Sequence, residues 1–165
     1  GPVTHLAHGP QAFAALTIAP PPLPQILRRP RLAELYRCIG ADITQAKKYT
    51  REMQYHCHSW VVGWQLTAEA ATPAQRAFAY GYLSHLASDV YSHNHYVPTQ
   101  LVVSYEARSL RHVYWEARFD SMQQGEYRDL LRELTRGRFP DCDELVRQVV
   151  SRTLFSFSTN KRIFD

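Results

Sequence analysis

Apolar residues recur along this chain at the three- to four-residue spacing of α-helices, and almost no segment alternates in the way of a half-buried strand. The spacing predicts helices over residues 3–16, 30–38, 52–71, 73–93, 99–124, 127–135 and 141–157. Most of the connections between them are short, which favours antiparallel neighbours in a bundle of about six or seven helices. The predicted fold class is therefore all-α, a compact multi-helix bundle.

Proline, glycine and capping residues predict where these helices begin and end. Thr72-Pro73 is typical of a helix start, with Thr as the N-cap and Pro in the first turn. Pro98 is expected to stop the same helix, because a residue before proline disfavours the helical conformation. Gly125 is expected to end the helix over 99–124. The other boundary expectations are a kink or the true helix start at Pro10, and an N-cap at Asp141 or Asp143.

Length and composition narrow the class of protein. The chain has 165 residues, which suits one domain over residues 1–165 with a single core. No run of about 18 apolar residues occurs, so the sequence predicts no membrane span. The first residues have neither the basic start nor the apolar middle of a signal peptide. The formal net charge of +4 favours anionic partners such as phosphate esters, nucleic acid or an acidic membrane surface, although no dense basic stripe accompanies it.

The three cysteines, Cys38, Cys57 and Cys142, do not form a disulfide framework. We expect Cys57 to be a buried free thiol or a disulfide partner of Cys38. Its position between two histidines also permits metal ligation by the thiolate. Adjacent side chains on a helix diverge by about 100°, however, so Cys57 cannot share a face with both neighbours, and ligation is the less favoured alternative.

Residues of metal-ligand type occur in pairs four positions apart, which places both members of a pair on one helix face. His85 and Asp89 form one pair, and His112 and Glu116 form another on the next predicted helix. A single histidine on a helix is more often a core residue than a ligand, but the recurrence of the pair favours a metal site. All eight histidines lie between His5 and His112. The other candidates in this region are Asp42, His56, His58, His93 and His95.

The second half of this pattern resembles the core signature of the bacterial zinc-dependent phospholipases C. That signature has His-x-x-x-Asp on one helix, a His ten residues after the first, and His-x-x-x-Glu on the following helix. The corresponding residues here are His85, Asp89, His95, His112 and Glu116, in the same order and with the same gaps. The resemblance extends over residues 3 to about 120 and implies the all-α bundle of that family, which single-strand nucleases share.

The upstream part of the family pattern is also present. The family has a His in a helix starting Thr-His-Leu, and here the same tripeptide supplies His5. It has an Asp in an early connector and, some fifteen residues later, a His that opens a helix. Asp42 and His58 match these positions, with His56 as the rival of His58. The segment HSWVVGW, which starts at His58, is the more similar to the helix start of the family.

The resemblance implies up to three zinc ions in a cleft at one end of the bundle. The mixture of imidazole nitrogen and carboxylate oxygen suits zinc, and open positions imply a catalytic site. The ligands implied for the first ion are Asp42, His58, His85 and Asp89. Those implied for the second are His5 and Asp89, which bridges the two ions. Those implied for the third are His95, His112 and Glu116. His93 falls outside the family pattern and is expected at the rim of the site or behind its ligands.

One part of the family pattern is not found in these residues. In the family, the second zinc also takes the amino and carbonyl groups of an N-terminal tryptophan, whereas Gly1 stands four residues before His5 here. If a tryptophan that precedes Gly1 has been removed, we expect the second ion to be weakly held or absent.

The implied activity is hydrolysis of a phosphodiester. Two neighbouring zinc ions lower the pKa of a shared water, and the resulting hydroxide attacks phosphorus. Asp42 is the implied catalytic residue, which orients or deprotonates that water. The third ion stabilises charge on the phosphoryl and leaving oxygens. With a phospholipid or a membrane surface as partner, the products are diacylglycerol and a phosphorylated head group.

Two other functions remain open at the level of sequence. A single-strand nuclease or 3'-nucleotidase of the same fold has a similar metal cage and needs an aromatic pocket that stacks a base, which adds roughly 1–3 kcal/mol per base. A catalytically inactive zinc-binding module is the alternative from a different class. The family resemblance also predicts a secreted or periplasmic protein, with a cytoplasmic location left open.

Overall fold

The fold of this chain is built from helices. The structure, a computed structural model, describes residues 1–14, 39–43, 52–103, 111–150, 159 and 162–163, and no strand occurs among them. Its helices are α1 (Pro2–Ala14), α2 (Trp60–Glu69), α3 (Pro73–Tyr91), α4 (Val97–Val103), α5 (Arg111–Met122), α6 (Gly125–Arg136) and α7 (Pro140–Val149). Short 3₁₀ turns occur at Gly40–Asp42 and Met53–Tyr55, and a π-helical turn at Ser92–Tyr96 links α3 to α4. The prediction of an all-α fold is confirmed.

Helix α3 lies at the centre of the described bundle. It contacts α1, α2, α7 and the 3₁₀ turn at Gly40–Asp42. Its side chains Phe78, Tyr82 and Leu86 are buried in the core, as their spacing predicts. Among the described residues, no helix is both long and apolar enough to cross a membrane.

Helix α3 begins where the sequence predicts. The Thr72 hydroxyl accepts a hydrogen bond from the Gln75 backbone N–H at 3.1 Å, and the Gln75 side-chain oxygen accepts one from the Thr72 N–H at 3.2 Å. This reciprocal capping box satisfies two N–H groups that the first turn of a helix leaves without partners, and Pro73 follows it as the first helical residue.

The end of α3 differs from the prediction, because Pro98 does not stop the helical path. The chain passes from α3 through the π-helical turn into α4. The Val97 N–H bonds to the Ser92 carbonyl, five residues back, which widens the turn. Pro98 is then the second residue of α4, directly after the widened turn, and its missing N–H removes one hydrogen bond from the continuous helical path.

Helix α2 is shorter than the helix predicted over 52–71. It starts at Trp60 because Ser59 caps it, with the Ser59 hydroxyl accepting from the Val61 N–H at 3.2 Å. The residues before Ser59 form the 3₁₀ turn at Met53–Tyr55 and a bend.

Three further boundaries correct the sequence expectations. Gly125 opens α6 and does not end α5, whose last residue is Met122. Helix α7 has Phe139 as its N-cap and Pro140 at its first position. The acidic residues expected as caps lie in its first turn instead, where negative charge suits the helix dipole; these are Asp141 and Asp143. Helix α1 passes through Pro10, which neither starts nor ends it. The expected segments 15–16, 30–38, 104–110 and 151–157 lie outside the described residues.

Candidate metal centre

Five of the predicted metal ligands converge at one place on the bundle. Helix α1 contributes His5, the 3₁₀ turn contributes Asp42, the segment before α2 contributes His58, and α3 contributes His85 and Asp89. Most of them line a cleft of about 600 Å³, and His85 is buried behind the others. These residues are separated by up to 84 positions in the sequence, so only the tertiary fold brings them together.

Two local features bring the loop ligands to α3. Gly40 packs so closely on α3 that an added Cβ would lie 2.7 Å from a ring carbon of Phe78, and this approach carries Asp42 to the helix. The Tyr82 hydroxyl donates a hydrogen bond to the Cys57 carbonyl, which fixes the segment that holds His58. Both anchor side chains are buried on α3, one and two turns before its metal-type residues.

The four-ligand group is defined as Asp42, His58, His85 and Asp89, and five of its six donor–donor distances are close to those of a tetrahedral zinc site. Zinc bonds of about 2.0–2.1 Å place tetrahedral ligand atoms about 3.4 Å apart. The His58 Nε2 atom lies 3.1 Å from Asp89 Oδ2, 3.6 Å from Asp42 Oδ1 and 3.3 Å from His85 Nε2. The His85 Nε2 atom lies 3.7 Å from Asp89 Oδ2 and 3.9 Å from Asp42 Oδ1. The residues present therefore fit the ion.

Asp89 turns its two oxygens towards different histidines. Its Oδ1 atom lies 3.2 Å from His5 Nε2, and its Oδ2 atom lies 3.1 Å from His58 Nε2. The His5 ring stacks on the His85 ring, with centroids 3.8 Å apart. His5, His85 and Asp89 thus form a second cluster of donor atoms that shares two members with the four-ligand group. A carboxylate in this position can bridge two cations.

The surroundings of His85 and Asp89 hold both residues in the protonation state that metals bind. Burial, helped by neighbouring His5, lowers the pKa of His85 to about 3, although Asp42 and Asp89 act in the opposite direction. Burial raises the pKa of Asp89, but hydrogen bonds from three histidines outweigh it and hold that pKa far below its usual range. The result is a neutral imidazole beside an ionised carboxylate, and both are the ligating forms.

His93 and Glu116 form a further pair at the edge of the cleft. The His93 Nε2 atom lies 3.5 Å from Glu116 Oε1 and 3.7 Å from Asp89 Oδ2. The hydrogen bond to Asp89 raises the pKa of His93, with burial acting against it. The expected ligand His95 is exposed outside the cleft lining, with its ring centroid 5.2 Å from that of Tyr91. The side chain of His112 lies outside the described residues.

The structure distinguishes the roles of the two histidines beside Cys57. The His56 Nδ1 atom accepts a hydrogen bond from the His58 backbone N–H at 3.0 Å, whereas His58 directs its Nε2 atom at the four-ligand group. Cys57 is a free, buried thiol, as expected, and its Sγ lies 3.3 Å from the His58 Nδ1 atom. Apart from the adjacency of Cys57 and His58 in the chain, nothing in the sequence indicates this contact with the His58 ring.

Asp120 is a second residue that the sequence does not single out. Its Oδ1 atom accepts from the Thr4 backbone N–H at 2.9 Å and from the Thr4 hydroxyl at 2.5 Å, and its Oδ2 atom accepts from the Val3 N–H at 3.3 Å. The carboxylate satisfies free N–H groups of the first turn of α1, where negative charge also suits the helix dipole. It thereby fixes the turn that carries His5.

The fold and the donor set define a class: an all-helical protein whose clustered imidazoles and carboxylates are able to hold metal ions. Comparison with known protein families makes this specific, since the zinc dependent phospholipase C family matches residues 4–153. The chain belongs to that family, and it is a zinc-dependent hydrolase of the phosphodiesterase type. No curated protein and no solved structure matches it.

Proposed function

We propose that this chain cleaves phospholipids between glycerol and phosphate, giving diacylglycerol and a phosphorylated head group. The single observation that carries the proposal is the four-ligand group, whose near-tetrahedral spacing occurs beside a cleft open to solvent. A structural zinc site is usually closed, whereas a catalytic one keeps a position for water or substrate. Family membership supports the same reaction class.

The ligand assignment follows from the distances. The four-ligand group is proposed to hold one zinc ion, and His5 with Asp89 a second one, with Asp89 as the bridge. The family pattern assigns a third ion to Glu116 with His95 and His112. The described side chains favour His93 as the partner of Glu116 in place of His95.

The cleft itself explains why the reaction depends on bound cations. Among the described lining residues, three are carboxylates, and none is lysine or arginine. A phosphodiester anion entering this cleft without a cation would meet like charge, which disfavours binding. When bound, zinc supplies Lewis-acid chemistry, because it lowers the pKa of water towards neutrality and offsets charge on phosphoryl oxygens.

Asp42 is the residue proposed to orient the attacking water and to accept its proton. It lines the cleft and is partly exposed there. Asp89 is less suited to this step, because its two oxygens are already engaged by His5 and His58. A carboxylate within hydrogen-bond reach of the water can serve as a general base.

Chelation and metal restoration test the proposal. The protein is stripped of metal with a chelator and assayed on short-chain phosphatidylcholine, and zinc is then added back. We expect activity to disappear on stripping, to return with zinc, and to release diacylglycerol. Activity that survives complete removal of metal would overturn the proposal.

A parallel assay on single-stranded DNA separates the phospholipase from the nuclease alternative. If added zinc restores cleavage of DNA but not of lipid, the chain is assigned to the nuclease branch. Tight binding of zinc with no hydrolysis of either substrate assigns it to the inactive zinc-binding alternative.

The third zinc position is tested by substitution. We expect His93→Ala to remove one zinc equivalent per chain and His95→Ala to leave the zinc content unchanged, as measured by elemental mass spectrometry. Loss of zinc from His95→Ala alone would restore the assignment of the family pattern.

A further inference from the structure

Helix α2 carries large apolar side chains on both its buried face and its exposed face. Val62, Gly63 and Leu66 face the core, and this buried face packs on α3. The opposite face presents Trp60, Val61 and Trp64 to solvent, with side chains 41%, 47% and 58% exposed. Core packing therefore does not account for these three residues, since an outward helix face is normally polar.

The end of α3 also exposes apolar side chains, one of which, Val90, lines the same cleft as Trp60. Val90 is 46% exposed and Tyr91 is 67% exposed. We name Trp60, Val61, Trp64, Val90 and Tyr91 together the neutral face. The rings of its two tryptophans lie 6.5 Å apart between centroids.

The neutral face is continuous with the cleft that leads to the metal centre. Trp60 and Val90 belong both to this face and to the lining of the cleft. If a second surface binds to the neutral face, the molecules of that second surface therefore lie at the entrance of the cleft. This continuity distinguishes the face from exposed apolar residues elsewhere on the bundle.

The two helical segments that carry the neutral face are almost without charged residues, and this composition indicates what the face contacts. The segments 60–68 and 77–95 contain no Asp, Glu, Lys or Arg other than Asp89, which belongs to the metal centre. A surface that binds anionic membranes does so through Lys and Arg, and such binding weakens with salt. An uncharged surface with Trp and Tyr instead suits the interface of a zwitterionic bilayer, where aromatic rings are favoured.

We propose that the neutral face docks this protein on zwitterionic lipid surfaces and delivers a lipid from that surface to the cleft. The delivery of a lipid to the cleft rests on the proposed phospholipase function, because it has meaning only if lipid is the substrate. The docking itself does not depend on that function. Docking proceeds by insertion of apolar side chains, so its strength follows the buried apolar area and not the charge of the membrane.

The test compares binding to phosphatidylcholine vesicles by co-sedimentation in the native protein and in the double variant Val61→Gln, Trp64→Gln. Neither residue lines the cleft, and both are exposed, so the variant should fold. We expect the partition coefficient to fall about tenfold or more, because the variant removes apolar area that enters the interface. The matched control is Val102→Gln on α4, a more exposed valine outside the neutral face and the cleft lining, which should change partition by less than about twofold.

Two conditions decide whether insertion or charge drives docking. Raising salt from about 50 to about 500 mM should leave partition of the native protein unchanged, since screening acts on charged contacts. Adding anionic lipid should not increase it. Binding that requires anionic lipid and disappears in salt would overturn the proposal.

A kinetic readout separates failure of this inference from failure of the proposed function. The double variant should retain activity on short-chain phosphatidylcholine below its micelle concentration and lose it on vesicles. If the variant binds vesicles as the native protein does, the docking inference fails even where lipid hydrolysis stands. If the native protein docks but hydrolyses no lipid, the proposed function fails and docking stands. A dimer that the variant dissolves, seen by sedimentation, would assign the face to a second copy of the chain and overturn the proposal.

Discussion

Asp89 is the residue on which the metal centre depends most, because its two oxygens lie close to four separate histidines. Its carboxylate lies within 3.7 Å of the Nε2 atoms of His5, His58, His85 and His93. These histidines come from α1, from the segment before α2, from α3 and from the π-helical turn. Removal of one charge at this position therefore affects every part of the cluster at once.

For this reason, Asp89→Asn should reduce zinc content by more than one equivalent per chain. Activity should fall at least about a hundredfold, the lower range for loss of an electrostatic group at a reacting centre. Elemental mass spectrometry and turnover of short-chain phosphatidylcholine measure the two effects. Asp129→Asn is the control, since Asp129 is exposed and pairs with Arg132 on α6. Full zinc content in Asp89→Asn would contradict the bridging role.

Cys57 acts at the residue scale through another side chain. Its Sγ lies 3.3 Å from the His58 Nδ1 atom, on the side of the ring away from the other ligands. Groups that contact the non-ligating nitrogen of a metal-binding histidine fix the orientation of its ring. Their loss lowers metal affinity by roughly 10–100-fold.

We accordingly expect Cys57→Ala to weaken zinc binding by about tenfold or more, as measured by competition with a chromogenic chelator. Cys57→Ser, which retains a polar atom, should recover part of the affinity. Cys142→Ala is the matched control, because Cys142 is also a buried free thiol but lies in α7. An equal effect of both alanine variants would indicate general destabilisation and no positioning by Cys57.

At the scale of elements, the contact between α2 and α3 positions one wall of the cleft. Gly63 permits this contact, because a Cβ there would lie 2.7 Å from Leu83 Cδ2 and 3.1 Å from Leu86 Cδ1. A side chain at this position forces the helices apart or the leucines out of their rotamers.

Gly63→Val should therefore lower the free energy of unfolding by about 1–3 kcal/mol, the usual range for overpacking. Chemical denaturation followed by circular dichroism measures it. Gly125→Ala serves as the control in a helix, since the nearest atom to its added Cβ is an Arg128 nitrogen at 3.9 Å. A stability of Gly63→Val equal to that of the native chain would show that the two helices have room to separate.

The region around the π-helical turn shows where helical counting and the family pattern differ. Regular α-helical counting carries the pattern from His85 to Asp89, because both lie within α3. The same count places His93 on this face, four residues after Asp89, and its Nε2 atom lies 3.7 Å from Asp89 Oδ2. The family pattern selects His95 instead, which is exposed. The approach of Glu116 to His93 depends on the packing of α5, which no local pattern encodes.

Helix α2 shows a similar limit. Its spacing correctly predicts a helix through Trp64, but the sequence contains apolar residues on both faces. Periodicity therefore identifies the helix without deciding which face lies against α3. Only the packing around Gly63 reveals that Val62 and Leu66 are inward and the tryptophans outward.

On the scale of the whole molecule, the metal centre connects parts of the chain that are distant in sequence. Candidate ligands from α1, from the 3₁₀ turn, from the segment before α2 and from α3 lie close together. A cation bound there would crosslink these parts in the folded state alone. Family resemblance singles out these residues in the sequence, whereas their convergence depends on long-range packing that no local pattern encodes.

Zinc should consequently raise the thermal stability of the whole bundle. A ligand at about a thousand times its dissociation constant stabilises the native state by about 4 kcal/mol. For a domain of this size, that corresponds to a rise of roughly 10 °C in the unfolding midpoint. Calorimetry before and after chelation measures the shift. The same treatment of Asp89→Asn should produce a much smaller shift, and an unchanged midpoint in the native chain would contradict the prediction.

The carboxylate of Asp120 connects two sides of the cleft. It accepts hydrogen bonds from the first turn of α1, which also carries His5, and it lies four residues after Glu116 on α5. The positions of His5 and Glu116, on two different helices, therefore depend on the same carboxylate.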